Sequence, residues 1–234
     1  MNMQYVWLIW SLLILLLWGI IFVYKKPIRA EMLKVSLRTM PMGLSEPLFV
    51  PEYWTPPSMF NLAAQTGFDI ESLIFSFAIG GIGAVLYKVI TPVTTISVSD
   101  HDRKHKRHRF HLLSLFAPPV VFLILALFTP LNHIYCGSVA MFAGGVSAMI
   151  CRADLTRKIW ISGLLFTGLY FIYFTSLNIV FPDYVEHVWT LEKLSGVVIT
   201  GIPLEEYLFA FTFGMYWSSL YEHLTWRWRR LNPA

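Results

Sequence analysis

Six stretches of this chain are each apolar over roughly the length that crosses a bilayer: residues 5–24, 72–90, 112–129, 134–151, 159–180 and 204–223. Hydrophobic residues make up 56% of the chain and charged residues 14%, where a soluble domain carries about a quarter charged. The chain therefore reads as an all-α, polytopic transmembrane helix bundle of about six spans, multi-pass in a cell membrane. The first stretch lacks a basic leader and a small-residue cleavage site, so it is expected to stay as a span. Only residues 130–133 separate the third and fourth stretches, which predicts a tight antiparallel hairpin. Pro118-Pro119 should kink or delay the third span.

Lys and Arg set the expected orientation. With the N-terminus in the cytoplasm, Lys88, Arg103, Arg109, Arg152, Lys158 and Arg227 fall inside. Both termini are then cytoplasmic. The basic stretch from Lys25 to Arg38 falls outside and is the exception. Bringing it inside would require residues 39–70 to cross, and their Pro-rich, interrupted composition argues against a span. The net charge of +4 suits loops on anionic lipid headgroups rather than nucleic acid. Cys136 and Cys151 share one predicted helix about 22 Å apart, too far for a disulfide.

One motif recurs. Residues 201–214 read GIPLEEYLFAFTFG and residues 67–80 read GFDIESLIFSFAIG. Without a gap they share Gly67/Gly201, Glu71/Glu205, Phe75/Phe209, Phe77/Phe211 and Gly80/Gly214. Upstream, Trp54-Thr55 answers Trp189-Thr190 with one residue of slippage. The chain thus reads as a parallel internal repeat, residues 1–100 holding spans one and two and residues 101–234 holding spans three to six. Spans one and two are expected to answer spans five and six.

Each copy puts an acid where an apolar helix begins. Glu in a first helical turn complements the helix dipole, and Pro suits the first helical position, so local helix chemistry alone could account for Pro203, Glu205 and Glu206. The recurrence at Glu71 and the hydrocarbon boundary favour a functional site. A carboxyl group at such a boundary is held toward its neutral form, because burial disfavours the anion, and a neutral acid can protonate a weak base. Glu205 and Glu206 point about 100° apart on a helix. Glu205 aligns with Glu71 and is the repeat-preserved position, whereas Glu206 aligns with Ser72.

Pro203-Leu204-Glu205-Glu206 followed by Leu208-Phe209 resembles the Pro-x-Glu-Glu…Phe signature of the lycopene cyclase domain family, the flavin-independent, membrane-embedded carotenoid cyclases. The duplicated plan and the Trp upstream of each motif are similar as well. The first copy departs from the signature, with Asp69 for Pro and Ser72 for the second acid. The resemblance implies ring closure at the end of an acyclic, lycopene-like carotenoid or related isoprenoid, without net redox change. It implies Glu205 as the acid, Glu71 as the second carboxylate and Glu206 in support. Trp54, Trp189, Phe75, Phe209 and Tyr207 are then candidates for binding the substrate and stabilising its cation. The partners implied are a lipid-soluble polyene, membrane lipids and other carotenoid-pathway enzymes.

No flavin or nicotinamide fingerprint is present, and no cofactor or metal is expected. Gly80-Gly81 and Gly144-Gly145 read as close-packing sites. In residues 101–111, basic residues interleave with His101, His105, His108 and His111 and would repel a cation, so this run reads as a solvated loop on headgroups. Glu222-His223 should be interfacial. Duplicated halves with paired acids also suit a small proton-coupled transporter or a lipid-binding protein, though helix-breaking signals within spans two and six are lacking. Ser72 in place of an acid would suit a non-catalytic partner of a pathway enzyme.

Overall fold

The computed structural model describes residues 3–91 and 93–231. The fold is an all-α bundle. In chain order it contains α1 (Val6–Tyr24), α2 (Arg29–Thr39), a 3-10 segment (Met40–Leu48), short α3 (Leu62–Thr66), α4 (Ile70–Ile90), strand β1 (Val93–Ser97) and short α5 (Asp100–Arg103). There follow α6 (His111–Phe128), α7 (His133–Cys151), α8 (Thr156–Val180), short α9 (Tyr184–Val188), a hairpin of β2 (Val198–Ile199) and β3 (Ile202–Pro203), α10 (Leu204–Thr225) and β4 (Arg227–Leu231), which pairs with β1.

Five helices are long and apolar enough to cross a membrane: Met3–Tyr24, Ile70–Ile90, His111–Phe128, His133–Cys151 and Ala153–Val180. The sixth expected span forms α10 but falls outside that set, because glutamates, serines and polar-tipped aromatics dilute it. It is nevertheless the centre of the bundle, packed on α4, α7 and α8. A helix buried on several sides by protein does not need an apolar surface for lipid.

Local chemistry sets the helix ends. Asp69 caps α4, its Oδ1 accepting from the Ser72 backbone N–H at 2.6 Å, and Asn132 caps α7 through the Ile134 N–H at 3.2 Å. Trp226, at φ 52°, closes α10 in the left-handed region. Pro118 and Pro119 do not interrupt α6. The helical partner that Pro118 denies the Ser114 carbonyl is supplied by the Ser147 hydroxyl of α7, at 3.0 Å. Gly144 makes this approach available, since a Cβ there would lie 2.5 Å from the Pro118 ring.

The contacts give each helix a direction. The start of α1 meets the start of α4, with Trp7 and Phe75 ring centroids 5.0 Å apart. Its end meets the end of α4, where Lys25 Nζ donates to the Val89 carbonyl at 2.9 Å. Two parallel neighbours need a return segment, and α2 with Met40–Leu48 provides it. Glu31 pairs with Lys88, Thr39 lies against Gly80, where any Cβ would collide with it, and Gly43 lies against the Ser72 backbone. These contacts follow α4 from residue 88 to residue 72, about 24 Å of helix. This corrects the expectation that residues 39–70 form a loop on one side. The segment is covered by α4 and needs no continuous apolarity. Helix α1 starts at the Glu71 end of the bundle, and β4 pairs with β1 at the opposite end.

At that far end lies a buried charge network. Glu222 of α10 sits 2.8 Å from Lys88 and 2.6 Å from Lys158, and Lys88 sits 2.6 Å from Glu31. Glu222 and Lys158 are wholly buried, so the expected interfacial place for Glu222-His223 is also corrected. Two carboxylates and two ammonium groups compensate one another there, and they tie together α2, α4, α8 and α10.

Candidate active site

The acids of the two motifs lie at the opposite end of the bundle from the charge network, under two loops that are bound to each other. Trp54 and Trp189 form an antiparallel bridge. The Thr55 N–H donates to the Val188 carbonyl at 2.7 Å and the Thr190 N–H to the Tyr53 carbonyl at 3.0 Å. The two indoles meet with centroids 5.3 Å apart. This bridge sets Tyr53 and Trp189 over the first turn of α10.

Both side chains serve Glu206. The Tyr53 hydroxyl and the Trp189 indole N–H donate to the same atom, Oε1, the latter at 2.8 Å. Glu206 is buried. Burial first, and the Glu206 carboxyl second, hold the Tyr53 phenol well above its ordinary range, so it remains a donor. The Tyr170 phenol is a third group hydrogen-bonded to this carboxyl.

Glu206 lies on the wall of a cavity of about 920 Å³. Four of the aromatic residues singled out in the sequence line it as well: Trp54, Trp189, Phe75 and Phe209. Phe75 and Phe209 each approach Tyr170, with centroids 6.3 and 5.8 Å away. The wall continues along α10 to Leu224 and includes Leu112 and Phe116 of α6. From Glu206 to Leu224 is about 27 Å of helix rise. On the α6 side the wall is thin. That helix has its broad contact with α7 alone among the described residues, and only 11% of its apolar stretch is buried.

Glu205, Glu71 and Tyr207 are not on this wall. Glu205 accepts from the Tyr135 hydroxyl at 2.5 Å and from the Ser195 N–H at 2.9 Å, so it joins α7 to the segment before the β2–β3 hairpin. Glu71 accepts from the Met59 N–H at 2.7 Å and holds the loop before α3. In each, the second oxygen has no hydrogen-bond partner. The two repeat-aligned acids thus do the same thing, each fixing an upstream loop by one backbone N–H. Tyr207 is engaged at the hairpin with Thr200 and the Ile199 carbonyl.

Two residues on the wall escaped sequence reasoning. Glu46, from the 3-10 segment, is buried there with neither carboxyl oxygen hydrogen-bonded. Tyr53 is the other. The signal available for Glu46 was a single acid within the otherwise uncharged residues 39–51, which was read as a loop.

The arrangement places a buried carboxyl group at one end of a long, aromatic-lined cavity with few polar groups. No curated protein and no solved structure matches the chain. The family model described as lycopene cyclase matches residues 132–224, from the N-cap of α7 to the last turn of α10, and so takes in Tyr135, Trp189, Glu205 and Glu206. Through this segment, about 40% of its length, the chain is similar to the lycopene cyclase family.

Proposed function

We propose that the protein closes a ring at the end of an acyclic, lycopene-like carotenoid, with Glu206 as the acid. The observation that carries this reading is the position of Glu206 on a cavity whose wall follows α10 for about 27 Å and is largely apolar. A linear polyene entering lengthwise would bring one terminus to the carboxyl group. Glu206 gives its proton to the terminal double bond. The neighbouring double bond supplies the electron pair for the new carbon–carbon bond, and the positive charge moves into the ring. The faces of Trp54, Trp189, Phe75 and Tyr170 stabilise that charge without adding to it. A ring proton then leaves to a carboxylate, restoring a double bond. Glu206, anionic after the first step, and Glu46 are the two carboxyl groups available. One proton enters and one leaves, so no redox cofactor is needed. Glu205 and Glu71 act by holding the loops that carry the aromatic residues.

The duplication is part of this proposal in altered form. Matching helices by direction pairs α1 with α7, α2 and its 3-10 extension with α8, and α4 with α10, leaving α6 outside the repeat. For orientation we propose the charge-network end as cytoplasmic. Lys25 and Arg29 then join Lys88, Arg152 and Lys158 on the inside, in keeping with the positive-inside rule, and the N-terminus faces the other way.

The test is pigment analysis of a lycopene-accumulating host expressing the chain. New cyclic carotenoid with the intact chain, and none with Glu206→Gln at equal expression, is the expected result. Unchanged lycopene beside well-folded protein would sink the lycopene assignment, and vesicle uptake would then be the assay for the transport reading.

A further inference from the structure

We propose that His108, His111, Cys151 and His223 form a binding site for a transition-metal ion of the Zn²⁺ class, which clamps the foot of α6 to α7 and α10. The four residues come from three places in the chain. His108 lies in the turn before α6, His111 opens α6, Cys151 ends α7 and His223 lies in the last turn of α10.

The sulfur is central. Cys151 Sγ lies 3.4 Å from His108 Nδ1 and 3.4 Å from His111 Nδ1. One ligand atom from each of His111, Cys151 and His223 lies within 4.8 Å of the others. Zinc–sulfur and zinc–nitrogen bonds of about 2.3 and 2.0 Å, at tetrahedral angles, separate the two ligand atoms by about 3.5 Å. Two of the sulfur–nitrogen pairs, at 3.4 Å, already have about that spacing, and a His223 nitrogen lies within 4.8 Å of the His111 and Cys151 ligand atoms.

His223 supplies an independent observation. It is 3% exposed, yet its Nε2 has no hydrogen-bond partner. A buried imidazole nitrogen left without a partner is costly, and an ion would satisfy it. The expectation of a wholly solvated histidine run does not hold at this point. His108 and His111 turn inward onto Trp226, which stacks on His111 with centroids 4.0 Å apart, while the His101 side chain is 98% exposed. The nearest buried cation, Arg152, is occupied elsewhere. It forks onto Asp154 at 2.9 and 2.8 Å and donates to the Glu222 and Arg227 carbonyls. A thiolate with imidazoles is a donor set suited to zinc and its near relatives rather than to calcium or magnesium.

The site bears on the cavity. Leu112 and Leu115 follow His111, Leu220 and Leu224 flank His223, and all four line the cavity. Helix α6 otherwise leans on α7, so an ion there would set the separation of α6 and α10 at the far end.

The test uses untagged protein in detergent, with Zn²⁺ and Co²⁺ as the probes. The expected result is about one equivalent of zinc by elemental analysis. Co²⁺ should give tetrahedral ligand-field bands and a near-ultraviolet sulfur-to-cobalt band. Cys151→Ser should remove the sulfur band, and His223→Asn and His111→Asn should each weaken binding by at least roughly tenfold. His101→Gln should change nothing. The sulfur band of the unaltered protein reports cysteine ligation even if a variant fails to fold. A monodisperse protein that takes up neither ion would overturn the proposal. So would cobalt without a sulfur band, or binding lost in His101→Gln and kept in Cys151→Ser. These readouts do not depend on cyclisation.

Discussion

Helix α10 carries buried glutamates at both ends, and their surroundings differ. Glu222, in its last turn, is ion-paired with Lys88 and Lys158. Glu206, in its first turn, meets neutral groups, Tyr53 and Trp189 on Oε1 and the Tyr170 phenol beside them. The first arrangement cancels charge and joins four helices. The second orients a carboxyl group with neutral hydrogen-bonding partners on the wall of a largely apolar cavity. Burial alone therefore does not distinguish an ion-paired acid from one poised for the proposed chemistry. The partner does.

Substitutions at the two ends should separate these roles. The largest effect is expected for Glu206→Gln. It keeps the shape and acceptor of the side chain but removes the proton, so ring formation should fall by about 10²–10⁴-fold while thermal stability stays near that of the parent. Pigment analysis beside an unfolding curve in detergent reads both. The reverse pattern is expected for Glu222→Gln. Lys88 and Lys158 would lose their shared anion, for a loss of about 3–5 kcal/mol of stability. Cyclisation should then fall only as far as folded protein falls, and a stable but inactive Glu222→Gln protein would erase the contrast. Tyr53→Phe is intermediate. Loss of one donor to Oε1 should slow ring formation about tenfold at unchanged fold. Glu205→Gln should have the smallest effect. It keeps an acceptor for the Ser195 N–H and the Tyr135 hydroxyl, so ring formation should drop by less than about tenfold. A Glu205→Gln protein as inactive as Glu206→Gln would return the acid to Glu205.

The apolar helices were legible because lipid demands continuous apolar sequence. Five such helices stand where the pattern put them. The return segment was not legible. Arg29, Glu31, Lys34, Arg38, Pro41 and Pro47 interrupt it, and the rules for lipid-facing chain exclude it. It lies along α4, where Glu31 finds Lys88 and Thr39 finds Gly80. The same reasoning covers α10, the least apolar of the long helices and the most enclosed.

At the site, the motif led to the first turn of α10, where Glu206 rather than Glu205 lies on the cavity wall. Glu205 and Glu206 are neighbours about 100° apart. Repetition favoured Glu205, because Glu71 and Glu205 keep the same loop-holding contact. Repetition thus marked a shared scaffold position rather than the cavity wall. The histidine run was misread for a related reason. Its charges were counted along the chain, whereas His108 and His111 turn toward Cys151 and His223, which lie 43 and 112 residues further on.

The sequence by itself determined that the chain is a membrane helix bundle, where its apolar helices lie, and that a carboxyl-bearing turn opens α10 downstream of a tryptophan. Those properties depend on local composition and on neighbours within a few residues. Only the tertiary structure decided which glutamate meets the cavity, which lysines neutralise which acids, and that a charged, proline-broken segment runs the length of the bundle. Each of those outcomes depends on what lies opposite a side chain, and that is set by packing between helices far apart in the sequence.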